Sequence, residues 1–478
     1  MNYDVIVVGS GAIAGSIAYE LAGRQLKVCR LGCLDRSNAA SRAAGAMNGC
    51  FGEVTSGLIA SDYGKLKLKM DRIAKDRWST WAQRLAASSG DTRPLFTAKG
   101  THVILNTAGM EVVDSVNYDA IESVLREYNE PYEVVEPRSI KGMKPNDLAR
   151  SLKGLYIPEE HALNSHLLLE MLDAALLREG GEIVDNNVKR VLTENGTIVG
   201  VETVDGVRFT ANKVIIAAGV QSLDILSDQT SIVQKIPPLF AGYGVSVLLK
   251  VKNPDELPTS VIRTPNRAFA CGLHCVPRSD GVLYVGATNL LSNQPRTHAT
   301  VATIQFLLEC AYNQLNVDLF ESEILAIQVG NRPISADGFP LIGPCGIDGL
   351  WLVTGTYRDG LHQSPLLADY VANALMGLPN LEIDLADFTP IRRPLVGLSR
   401  DMTISEAAKQ TVAMGYEFIW NLKPGWDELI YESLLNSYGV QVESIDDIYT
   451  PPPDLVAFSC KDEQITKRLR DYYRCWKK

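Results

Sequence analysis

The first apolar run of the chain is short and unbroken. Val5, Ile6, Val7 and Val8 stand between Asp4 and Gly9 without polar alternation. A strand of this kind is buried on both faces, as in a parallel sheet. Apolar residues at helical spacing cover 12–22, and 26–31 returns to a second strand. The chain therefore opens as strand, glycine turn, helix, strand. Residues 66–88 carry the period of a long helix. An amphipathic helix over 165–179 ends at Gly180 and Gly181, and strands follow at 182–185 and 188–191. A hairpin runs from 196–202 through Asp205 and Gly206 to 207–210, because Asp-Gly favours a tight turn. Another buried strand covers 213–219. Between about 235 and 325 the texture changes. Short or alternating apolar runs at 243–250 and 281–288 suit an antiparallel sheet, and 301–315 reads as a helix.

The opening turn carries chemistry. Gly9 permits the tight turn, and Gly11 lets backbone approach a pyrophosphate. Ala14 stands at the third position, where a small residue allows close helix–strand packing. The helix starting at Ala12 and Ile13 presents free N–H groups and a partial positive charge, which suit a phosphate. The second strand should end in an acidic residue that holds the ribose hydroxyls, but Gly32 is there. Asp35, three residues on, is one candidate for that contact; backbone and water are the other.

Distant segments add to this turn. Residues 40–47 are rich in alanine, with Ser41, Arg42, Ala44, Gly45 and Ala46. Much later come Gly330-Asn-Arg332-Pro333, Asp337-Gly338-Phe-Pro340-Leu-Ile-Gly343 and Gly355-Thr-Tyr-Arg358-Asp-Gly360. Together with the opening turn, these segments resemble the glycine oxidase/D-amino acid oxidase family of FAD enzymes. The resemblance covers residues 1 to about 385. It implies a glutathione-reductase-type, Rossmann-like FAD domain with an inserted antiparallel α+β substrate domain, an α/β protein overall. The FAD domain would comprise 1–96, 150–225 and 328–392, and the substrate domain 97–149 and 226–327.

The resemblance also assigns roles. Ser41, Arg42, Ala44, Gly45 and Ala46 would pass against the flavin ring and pyrophosphate. Val188 would meet the adenine through its backbone, and Ala218 and Gly219 would lie near the pyrophosphate. Arg332 would hold a substrate carboxylate, since a guanidinium grips one with two parallel hydrogen bonds. His274 stands where the family has a tyrosine whose hydroxyl touches that carboxylate; it is read either as a hydrogen-bond donor or as a packed sheet residue. Arg358, a third candidate catalytic residue beside Arg332 and His274, forms with Asp359, Gly360, Leu361 and His362 the turn and helix start that point at the flavin, with His362, Gln363 and Ser364 in reach of the ring or the substrate. The helix N-terminus would stabilise an anionic reduced flavin. No residue matches a covalent attachment point, so the FAD is expected to be non-covalent; Cys345 is left unassigned.

The implied reaction is oxidation of an amino acid or related amine. Hydride leaves the carbon beside nitrogen for flavin N5, an imine results, and O2 is the acceptor. A dehydrogenase using another acceptor, and a flavin-binding assembly partner without turnover, are the alternatives.

Composition narrows the classes. At a net charge of −10 the chain lacks the basic surplus of a nucleic-acid binder. No apolar stretch approaches about 18 residues, so no membrane span is expected. Nine scattered cysteines, with no signal segment in front of them, suit reduced thiols in the cytoplasm. The pairs Cys29/Cys33 and Cys271/Cys275 fall in or beside expected strands, which argues against a metal site.

Residues 393–478 lie outside the resemblance and read as a helical C-terminal extension. Thr403-Ile-Ser-Glu406 is a capping-box pattern before a helix to about Asn421. A second helix covers 424–438 with Gly439 at its end. A proline break at 451–453 precedes a last helix over 462–476. That helix carries Lys467, Arg468, Arg470 and Arg474, followed by Lys477 and Lys478. The extension is read as packed on its own subunit, or as a homo-oligomer contact, a lid, or a dock for an acidic protein partner.

Overall fold

The computed structural model describes residues 2–267, 272–417, 420 and 422–477. Two sheets organise them. In the first, Asn2–Val8 lies between Val28–Leu31 and Arg208–Ile216, parallel to both. Leu350–Thr354 and Glu182–Val184 extend the sheet on either side. The unbroken apolar run has the expected cause. Val5 and Val7 pack under the helices Ala12–Gly23 and Gly360–Leu375, while Ile6 and Val8 face Val191, Ile198 and Val201 on the other side.

The two strands expected at 207–210 and 213–219 are one strand, Arg208–Ile216. Its start pairs antiparallel with Thr197–Thr203 across the Asp205-Gly206 turn, and its body runs parallel to Asn2–Val8. Nothing between the two stretches breaks the strand, because Ala211 is small and buried and Asn212 needs no turn.

The second sheet has ten strands. Leu239–Lys250 and Glu323–Ser335 pair antiparallel along nearly their whole length. Phe96–Asn106 pairs with Ser151–Leu163. One pair, Val261–Arg263 with Phe96–Asn106, is parallel, so the sheet is not wholly antiparallel. Ser151–Leu163 and the part of Glu323–Ser335 beyond 328 were expected in the nucleotide domain, yet both pair in this sheet. Each has 13 residues. At about 3.3 Å per residue such a strand runs roughly 40 Å, enough to pass from one layer to the other.

The extension forms the helices Arg400–Glu417, Trp426–Ile445, Pro453–Ser459 and Glu463–Arg474. The first begins earlier than the capping-box pattern. The Ser399 hydroxyl accepts the Met402 N–H at 3.3 Å, and Thr403 is buried inside the helix. The second runs straight through Gly439, which has no left-handed conformation. Three features of the sequence reading, Cys271, the helix end at Asn421 and Lys478, lie outside the described residues.

Several cations of the basic end helix are tied back to the chain, while Lys467 and Arg474 stay exposed. Arg468 donates to the Asn293 side chain at 2.8 Å and lies over the Phe240 ring; Arg470 donates to the Ser444 carbonyl, and Lys477 pairs with Asp446. Tyr472 Oη donates to the Arg392 carbonyl at 2.9 Å. Leu455, Ile465 and Leu469 pack with Phe240 and Ile334 of the second sheet. At the far edge Arg267 sits between Asp114 (2.8 Å) and Glu417 (2.6 Å), all three buried. The extension thus packs on its own chain, and most of its cations already have partners. Among the described residues no helix is long and apolar enough to cross a membrane.

Candidate active site

The glycine turn is shaped by contact with its neighbours. Gly9 has φ +131°, and a Cβ there would overlap the Ala217 carbonyl. A Cβ at Gly32 would come within 2.7 Å of the Gly9 carbonyl carbon and 2.9 Å of the Ser10 nitrogen. Both are backbone atoms that yield little, so a glycine stands where an acidic residue was expected. The turn is braced by residues that sequence reading missed. Arg36 donates from Nε to the Ser10 carbonyl at 2.7 Å and from Nη2 to both Asp173 oxygens at 2.8 Å. Buried Arg30 donates to the same carboxylate at 2.6 Å. Asp173 comes from a helix 137 residues beyond Arg36, so no local pattern could signal it.

The first helix has Gly11 as N-cap with no side-chain cap. The Ala12 N–H donates to Ser41 Oγ at 3.0 Å, so a hydroxyl and open helix N–H groups share one spot. From there a cavity of about 680 Å³ extends along the sheet ends. That volume is in the range of cofactor sites, roughly 300–1,000 Å³. Gly9, Gly11, Ala12, Ile13, Asp35, Ser41, Ala44, Gly45, Ala46, Val188, Ala218 and Gly219 line one part. His274, Arg332, Arg358, Asp359, Gly360, Leu361 and His362 line the other.

Four expected residues lie elsewhere. Ala14 is buried behind Gly9 in the core, where it serves packing, and the Arg42 side chain is exposed. Gln363 and Ser364 are fully buried in the helix, and Gln363 Nε2 donates to Asp71 at 2.7 Å. They follow the helix turn away from the cavity.

The glycine cradle, the open helix start and the length of the cavity fit FAD. The pyrophosphate would rest on Gly9–Ala12 and Ser41. The ring would lie against Gly45, where a Cβ would come within 2.9 Å of the Tyr284 ring and 3.1 Å of His274 Nε2.

His274 is 3% exposed, and burial holds its pKa down at about 4. It is therefore neutral near pH 7. Its Nδ1 lies 2.8 Å from the Gly272 carbonyl, which only an N–H can satisfy. Nε2 then carries a lone pair, so His274 accepts a hydrogen bond rather than donating one as a tyrosine hydroxyl would. The adjacent Tyr284 hydroxyl donates to the Ala43 carbonyl at 3.1 Å.

Among the described residues, Arg332 donates to neutral acceptors alone. Its Nη1 donates to the Thr288 carbonyl at 3.2 Å and to Asn289 Oδ1 at 3.1 Å. Among the described residues no carboxylate lies within the 4.0 Å of an ion pair. Gly244, on the facing strand, leaves the room its guanidinium occupies.

At the helix start Asp359 pairs with Lys67, and Asp71 lies 3.8 Å from the same ammonium. Burial pushes the Asp71 carboxyl up to about 8, against the pull of Lys67. His362 is pinned between Asn48 and the Asp71 carbonyl, and burial lowers its pKa to about 4. Asp359, which also lines the cavity, is thus paired with Lys67.

Known proteins agree with this geometry. The family described as FAD dependent oxidoreductase (DAO) matches residues 4–374. Glycine oxidase from Pseudomonas putida is 28% identical over 396 residues, covering 82% of this chain and 99% of that one. The bifunctional protein ThiO/ThiG from a Nostoc species is 26% identical over 379 residues, but the match spans only 53% of its length. The solved structure of glycine oxidase from Geobacillus kaustophilus superposes with a TM-score of 0.69 at 23% identity, over 82% of this chain and 99% of that one. With the glycine cradle, the long cavity and this match over most of its length, the chain belongs to the DAO family of FAD-dependent oxidoreductases.

Proposed function

We propose that this enzyme oxidises an amino acid or a related carboxylate-bearing amine at the carbon beside nitrogen, with O2 as electron acceptor. Arg332 carries the reading. It is a cation in the cofactor cavity with no acidic partner among the described residues, and a substrate carboxylate would complete it. The bound FAD supplies the acceptor for a hydride. The chain's residues bind and orient. Arg332 fixes one end of the substrate, which sets the distance of its reacting carbon from the ring. Neutral His274 offers an acceptor, and an amine N–H is the donor it suits. The start of Gly360–Leu375 directs N–H groups and a partial positive charge at the cavity. The names of the relatives, glycine oxidase among them, support the same reaction class. The free thiols among the described residues suit a reducing, cytoplasmic setting.

The test is anaerobic mixing of the holoenzyme with glycine, sarcosine and a panel of D- and L-amino acids. Bleaching of the flavin band by one of them, and return of colour with O2, is the expected result. Bleaching without reoxidation by O2 would favour a dehydrogenase. A flavin that none of them bleaches would count against the reaction.

A further inference from the structure

The C-terminal extension reaches the active site through a directional chain of hydrogen bonds. Arg332 Nη1 donates to Asn289 Oδ1 at 3.1 Å. The Asn289 amide donates to the Tyr357 hydroxyl. That hydroxyl donates to Asp454 Oδ2 at 2.8 Å. Asp454 belongs to the extension, in the first turn of Pro453–Ser459, and is 5% exposed. Asn289 is 4% exposed. Gly242 makes the arrangement possible, since a Cβ there would come within 2.9 Å of the Tyr357 ring and 3.2 Å of Asn289 Oδ1. Every donor in the chain meets an acceptor, and bonds linked in this sense polarise one another. Tyr357 also holds a positive φ of 52°, so the turn carrying it and Arg358 is fixed in an uncommon shape.

We infer that Asp454 is a positioning residue for the substrate carboxylate, acting through Tyr357 and Asn289 to aim Arg332. This rests on the proposed role of Arg332. The extension is then part of the substrate site. A small chamber of about 200 Å³, bordered by Tyr357, Arg358, Asp359 and Glu53 together with Pro451–Asp454, lies where it meets residues of the main cavity.

The experiment titrates acetate, a carboxylate without an oxidisable amine, into the full-length holoenzyme and follows the flavin absorbance. Asp454→Ala and Tyr357→Phe should each weaken acetate binding about 5- to 20-fold, the scale of one buried hydrogen bond, with flavin content unchanged. Asp454→Asn keeps an acceptor for the tyrosine hydroxyl and should stay within about twofold of the parent. With the amino acid that bleaches the flavin, the loss should fall on KM and spare kcat. Unchanged acetate binding in both Asp454→Ala and Tyr357→Phe overturns the inference. So does equal weakening in Asp454→Asn and Asp454→Ala, which indicates a staple for the extension only. If Asp454→Ala does not fold, Tyr357→Phe and Asp454→Asn decide alone. Arg332→Leu is the separate control. If it leaves acetate binding intact, the reading of Arg332 itself fails, whatever the Asp454 variants do.

Discussion

Replacing Arg332 with leucine removes a guanidinium that donates to two neutral acceptors, at 3.1 and 3.2 Å. Without substrate its loss leaves two buried neutral acceptors short of a donor, a cost of about 1–3 kcal/mol, while among the described residues no carboxylate loses a counterion. In the complex the loss is large, since the substrate carboxylate would be buried without a counterion. Truncating one partner of such a pair costs about 2–5 kcal/mol. At 1.4 kcal/mol per tenfold change, that is roughly a 30- to 4,000-fold fall in kcat/KM. The assay compares an amino acid with the amine that lacks its carboxylate. The variant should lose most of its activity toward the first and little toward the second, with flavin content near the parent. Equal losses for both substrates, or no loss for the amino acid, would refute the reasoning. Gly244→Ala is a milder form of the same perturbation. Its methyl would come within 2.8 Å of the present Cζ, so Arg332 must move and KM should rise.

Other outcomes follow from buried groups. Glu160 accepts N–H groups from Cys50, Phe51 and Gly52 at 3.0, 2.7 and 3.0 Å. Glu160→Ala orphans three donors and should destabilise the holoenzyme by about 3 kcal/mol or more in thermal or denaturant unfolding; a loss under about 1 kcal/mol would contradict this. Gly439 lies inside Trp426–Ile445 with open space around its α-carbon, so Gly439→Ala should stabilise by about 0.5–1 kcal/mol, and a lowered midpoint would mean the helix breaks there after all. His274 and His362 stay neutral in the fold down to about pH 4, whereas in the unfolded chain they protonate near 6.5. Their contribution is intact above 6.5 and is lost as pH falls toward 4, by up to about 1.4 kcal/mol per pH unit for each. The variant His274→Gln should flatten that acid slope, and a slope identical to the parent's would remove His274 from the account.

The parts of the site that lay in short, local patterns were readable. Gly9 and Gly11 needed only the strand before them and the helix after, and the turn at Gly355–Gly360 needed only its glycines. Where the sequence reading and the structure differ, the deciding contact is distant or the local rule had a competitor. Gly32 is explained by a loop 23 residues earlier that touches it. Arg36 finds Asp173 only once the helix Ser165–Arg178 has docked. Thr403 and Glu406 have the spacing of a capping box, but Ser399 starts the helix first. Gly439 resembles a stop, yet Val442 and Ile445 are buried beyond it and their packing carries the helix on. The link from Arg332 to Asp454 joins four segments that no single window contains.

The cofactor cavity has walls from Gly9 at one end and His362 at the other. During synthesis, the phosphate-binding turn leaves the ribosome long before the helix that faces the flavin exists. The central strand Asn2–Val8 must wait for Arg208–Ile216 on one flank. Such long-range pairings form slowly. FAD capture therefore needs segments that lie far apart in the sequence to be in place together. The yield of active enzyme should therefore depend on how long the folded apoprotein survives before it is filled.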